Sequence, residues 1–79
     1  MHKPNPVTNE ILDSIAGLWC GARCCDHRDG RISLLAFPMG PGFGNIPALF
    51  GAIRKTVSVF GIVSEESGSD WIRLHFVIA

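Results

Sequence analysis

The chain has 79 residues, room for one domain and one modest core, because a chain this short buries only about 60–65% of the surface its unfolded form exposes. Hydrophobic residues make up 47% and charged residues 18%, too apolar and too weakly charged for a disordered tail. Seven basic side chains balance seven acidic ones, so no net field draws the chain to nucleic acid or to an anionic membrane. A two-domain cofactor fold and a charged nucleic-acid coat protein are both disfavoured.

The segment Met1-His2-Lys3-Pro4-Asn5-Pro6 reads as an extended arm over residues 1–6, since each proline restricts itself and the residue before it. It is followed by polar residues rather than the apolar run of a secretory signal. Asn5 or Thr8 can cap a first helix. Val7, Ile11, Ile15 and Leu18 recur at helical spacing, with Leu12, Ala16 and Trp19 widening the stripe. Gly17 suggests a stop, which predicts a helix over residues 7–17.

Beyond it, Leu18, Cys20, Ala22 and Cys24 alternate as one apolar face of a strand. Asp26-His27-Arg28-Asp29-Gly30 reads as the reversal of a hairpin, because Asp-Gly supplies positive φ. Ile32-Ser33-Leu34-Leu35-Ala36-Phe37 is strand-like in composition. The expected strands are residues 18–25 and 31–37.

From Ile32 to Ile53 no residue is charged, a window long enough to raise a membrane span. It holds Pro38, Pro41 and Pro47 and four glycines, and freed backbone groups go unsatisfied in a bilayer. A strand, an apolar loop and a second helix fit better. Asn45 is a good N-cap, Pro47 suits a first turn, and Ile46, Leu49, Phe50, Ile53 and Val57 keep helical period. Val57 to Val63 then reads as strand, Glu65 to Asp70 as a polar turn. In the final strand Ile72, Leu74, Phe76 and Ile78 alternate with Trp71, Arg73, His75 and Val77.

The expected fold class is α+β: one small two-layer domain over residues 1–79, in α-β-β-α-β-β order, with an antiparallel sheet carrying two helices on one face. Its other face would present Trp71, Arg73 and His75.

Cys20, Cys24, Cys25 and His27 are the sharpest chemical candidates, since thiolates and imidazole suit zinc. Their spacing argues against one site, because a strand points Cys24 and Cys25 to opposite faces. Arg23, Arg28 and His27 flank Cys25, the minimum surroundings for a reactive thiol. Gly40-Pro41-Gly42-Phe43-Gly44 precedes a helix and invites an anion, yet departs from G-x-G-x-x-G. Arg23, Arg28 and Arg31 gather near the first hairpin, with Asp26 and Asp29 interleaved against a nucleic-acid field.

The expected function is a small non-enzymatic protein-binding module: an inhibitor, adaptor or regulatory subunit of the cytoplasm. The candidate contact residues are Met39 and Phe43 on the apolar loop and Trp71, Arg73 and His75 on the sheet. The alternative is a metal-binding or thiol-reactive protein built on Cys20, Cys24, Cys25 and His27; a third is a nucleic-acid or anion binder. No catalytic set, cofactor or membrane contact is expected, and a homodimer is compatible with the sequence.

Overall fold

The computed structural model describes residues 6–27, 30–40 and 45–77. Their elements are α1 (Pro6–Ile15), β1 (Cys20–Asp26), β2 (Arg31–Pro38), α2 (Ile46–Val57), a 3-10 turn (Ser58–Phe60), β3 (Ile62–Ser67) and β4 (Ile72–Val77). The four strands form one antiparallel sheet in the order β1-β2-β4-β3. The α+β class and the α-β-β-α-β-β order are those the sequence predicts. Pro6, expected in the N-terminal arm, is the first residue of α1, and residues 1–5, Arg28, Asp29, Phe43 and Ile78 lie outside the described residues.

Alternation along the strands builds the core. Ile32, Leu34 and Ala36 of β2 and Ile72, Leu74 and Phe76 of β4 are fully buried. Leu34 faces Leu74 and Ile32 faces Phe76 across the central pair. Ile11 and Ile15 from α1, with Leu49, Phe50, Ile53 and Val57 from α2, close this layer into one cluster. Among the described residues no polar or charged residue is buried, so the layer rests on apolar burial.

α1 stops at Ile15, short of the expected 17, and Gly17 lacks the positive φ of a glycine cap. The chain turns instead through a bond from Leu18 N to Ile15 O of 3.0 Å. Thr8 lies inside the helix and does not cap it. Trp19 therefore leaves the apolar stripe and is 73% exposed.

In α2 the Asn45 side chain accepts from Ala48 N at 3.1 Å, and Pro47 sits in the first turn. The Val57–Val63 strand reading is corrected. Val57 is the last helical residue, drawn in because its position continues the Ile53 stripe into the core. Burial outweighs the strand preference of a β-branched residue here. Ser58–Phe60 tighten into the 3-10 turn, and Gly61 at φ 83° ends it.

The polar turn also shortens, because β3 continues through Glu65 and Glu66 to Ser67. A β-bulge explains how an edge strand accommodates both carboxylates. Ile62 pairs with Phe76, but Ser64 pairs with His75, leaving Val63 as the extra residue. That one-residue shift reverses the strand's facing. Glu65 is turned to the helix side, where Arg54 of α2 donates from Nε at 2.7 Å. Glu66 is turned to the opposite face, across from Arg73.

Candidate functional site

The face of the sheet away from the core is built by residues that alternate with the buried ones. Register sets them in rows. Cys25, Ser33, His75 and Ser64 lie across β1, β2, β4 and β3, and Arg23, Leu35, Arg73 and Glu66 lie in the next row. His27, just beyond β1, reaches back to the first row, with Nε2 2.9 Å from Ser33 Oγ. The same hydroxyl lies 3.2 Å from His75 Nδ1. The far side of that ring, His75 Nε2, is 3.3 Å from Glu66 Oε1, to which Arg73 donates at 3.1 Å.

Protonation states order this chain. Arg73 first, then His75, holds the Glu66 carboxyl below its ordinary pKa. An ionised carboxylate only accepts, so His75 Nε2 donates to it. With neutral His75, Nδ1 accepts a hydrogen bond from the Ser33 hydroxyl, and the Ser33 oxygen accepts from His27 Nε2–H. With charged His75, Nδ1–H donates and the hydroxyl turns toward His27. Both arrangements leave every member satisfied, because serine both donates and accepts.

Cys25, His27, Arg31, Ser33, Arg73 and His75 together line an open groove of about 390 Å³. Two guanidinium groups, two imidazoles and a hydroxyl meet there among the described residues, with the Glu66 carboxylate at the edge on Arg73 and His75. Basic side chains are thus concentrated at one part of a chain whose formal net charge is zero.

At the other end of the same face the side chains are apolar. A backbone bond from Met39 N to Trp19 O at 3.3 Å continues the β1–β2 pairing past Cys20 and Pro38. Met39 is 65% exposed beside the exposed Trp19, and Phe37 shares this end. The Phe37 ring covers Gly21, where a Cβ would collide with it. Trp71 is half-buried. Its indole lies over Gly68, which a Cβ would also foul. The Arg73 guanidinium carbon lies over the ring, 5.6 Å from its centre, a cation–π contact.

The structure therefore gathers Trp71, Arg73 and His75 on one face and sets Met39 at its apolar end. Phe43 is outside the described residues. Ser33, Glu66 and Trp19 belong to the face but escape sequence reading. Only the pairing register links Ser33 to His75, and only the Val63 bulge selects Glu66 over Glu65. Trp19 would have been found by ending the first helix two residues earlier.

The cysteine cluster is divided. Cys20 and Cys24 are half-buried against the core, whereas Cys25 is exposed on the open face near His27. Among the described residues no three His, Cys, Asp or Glu side chains are grouped to hold a metal ion. Burial pushes the Cys24 thiol up to about 11, helped by Cys25 and Asp26 and opposed weakly by the Thr8 hydroxyl. Cys20 is also raised by burial.

Among the described residues, no helix is long and apolar enough to cross a membrane. No protein-family model, curated protein or solved structure matches the chain.

Proposed function

We propose that this protein is a small non-enzymatic module that holds an extended, acidic segment of a partner protein across the open face of its sheet. The observation that carries the reading is one face with two contrasting ends. Trp19 and Met39, 73% and 65% exposed, stand at one end, and the groove lined by Arg31, Arg73, His27 and His75 occupies the other. Tryptophan, methionine and arginine are the residue types enriched where proteins meet, and large apolar side chains cost free energy when left in water. Among the described residues two guanidinium groups line the groove, with the Glu66 carboxylate on one of them, which favours an acidic occupant over a basic one.

Catalysis is the weaker reading of the same residues. Ser33, His75 and Glu66 have the connectivity of nucleophile, base and acid. The two central strands that carry Ser33 and His75, however, spend their amides on neighbouring strands on both sides, so these two strands offer no pair of free amides for an oxyanion. Free thiols at Cys20, Cys24 and Cys25 favour the reducing cytoplasm as the place of action.

A double variant, Trp19→Ala with Met39→Ala, tests the reading. Both side chains are exposed, so stability should change by no more than about 1 kcal/mol in total. A partner captured from cells by the wild-type chain should be lost from the variant. Equal capture by both chains would contradict the reading.

A further inference from the structure

The groove is more specific than a general acidic-segment reading requires. Its donors come from three places in the sequence: His27 after β1, Arg31 and Ser33 on β2, and Arg73 and His75 on β4. They converge on one concavity rather than running as a track along the sheet. Arg73 uses one N–H on Glu66 and sits over the Trp71 ring, which leaves further donors in its fork. A carboxylate has two oxygens and one charge. A phosphate monoester has three acceptor oxygens and a charge of about −1.5 to −2, and it can engage donors from β2 and β4 together.

We propose that this groove receives a phosphate monoester carried on a side chain of the partner's segment, so that the module reads a phosphorylated hydroxyl residue. The inference rests on the preceding reading and names the acidic group.

Other phosphate carriers fit the surface less well. A nucleic-acid backbone needs cations spaced along a path, and the chain's net charge of zero supplies no long-range pull on a polyanion. A nucleotide base needs a free aromatic face close to its phosphate, while Trp71, the aromatic ring beside Arg73, already carries that guanidinium over one face and Gly68 against its edge. A peptide meets both ends of the face. Its phosphate enters the groove and its apolar side chains reach Phe37, Met39 and Trp19.

Glu66 has a definite place in this arrangement. Its carboxylate holds Arg73 and His75 in the absence of ligand and competes with the incoming anion for both. Removing that charge should strengthen phosphate binding, an outcome that a purely structural Glu66 does not predict.

The test is fluorescence anisotropy of the full chain against a labelled short peptide with one central phosphoserine between apolar residues. Matched peptides carry serine or glutamate at that position, and free O-phosphoserine is the competitor. The phosphoserine peptide should bind at least about tenfold tighter than either counterpart, as expected for added charge-assisted hydrogen bonds. Arg31→Gln and Arg73→Gln should each weaken it about tenfold, and Glu66→Gln should tighten it severalfold. All three sites are surface positions, and matching thermal melts establish that the variants fold. Equal binding of the glutamate and phosphoserine peptides would overturn the phosphate assignment and leave the acidic-segment reading standing. Binding of O-phosphoserine as tight as that of the peptide would overturn the protein-borne source. Failure of every peptide to bind would overturn the inference, while the Trp19 and Met39 variant still tests the broader reading.

Discussion

The Ser33 hydroxyl lies 3.2 Å from Nδ1 of His75, a residue 42 positions further along the chain. The contact follows from the register of β2 on β4, which sets the two residues opposite each other. Alternation then places both on the face away from the core. The same register fills the core, since Leu34 and Leu74, one step along, are fully buried. The site and the core are two sides of one pairing, so a shift that damages one damages the other.

Truncation at the centre of that pairing should be severe. Phe76 is fully buried, and Phe76→Ala should cost about 3–5 kcal/mol in lost burial and cavity formation. Native stabilities are about 5–15 kcal/mol, so chemical denaturation should show a large part of the wild-type stability lost and a midpoint at much lower denaturant. A melting temperature near wild type would contradict the burial.

The cysteines should react in a fixed order. Cys25 is exposed, whereas Cys24 is half-buried with a thiol pushed up to about 11. Limited iodoacetamide at pH 8, read by peptide mass spectrometry, should label Cys25 first. The Cys24 shift also has an alkaline consequence. An unfolded thiol ionises near pH 8.5–9, while the folded one keeps its proton up to about 11. Between those values the unfolded state binds fewer protons, so stability falls as pH rises. Cys24→Ala should remove that part of the decline.

Glu66 governs the acid side. Its folded pKa is lowered by Arg73 and His75. The stabilisation is therefore present above the ordinary carboxylate range and is lost as pH falls through the lowered folded value. Glu66→Gln should flatten the loss of stability seen as pH falls below the ordinary carboxylate range. An unchanged acid limb would mean that the ion pair does not persist in solution, the usual outcome for exposed pairs.

A single methyl group tests the Trp71 packing. Gly68→Ala places a Cβ against the indole, so Trp71 must move and its contact with Arg73 must open. Tryptophan emission should shift to the red while the core, and most of the stability, is retained. A spectrum identical to wild type would show that the indole does not lie over Gly68.

Thr8 offers the converse case. Its Oγ1 is the one buried side-chain polar atom, among the described residues, without a well-formed hydrogen bond. Thr8→Val keeps the shape and removes the polar atom, so stability should hold or rise by about 1 kcal/mol. A clear loss would point to a real bond with the Cys24 thiol.

What could be read in advance depended on whether the controlling interaction was local. Ile32, Leu34 and Ala36, and Ile72, Leu74 and Phe76, show their facing by alternation alone. The α2 stripe from Leu49 to Val57 shows it by helical period. Residues 57–63 were ambiguous because β-branched residues suit a strand as well as a buried helix end. The bulge at Val63 leaves no local trace, so two adjacent glutamates gave no hint of opposite facings. Trp71, Arg73 and His75 could be placed on one face from β4 alone. Their partners Ser33 and Glu66 required the pairing of three strands.

The most direct test of the binding face is an amide chemical-shift titration of the isotopically labelled full chain with the phosphoserine peptide. Binding on the open face predicts shifts at Arg23, Cys25, His27, Arg31, Ser33, Arg73 and His75, extending to Trp19 and Met39. Asp13 on α1 and Lys55 on α2, both exposed on the helical layer, should stay still. Shifts concentrated on those helices, or none at saturating peptide, would contradict the assignment of this sheet face as the site.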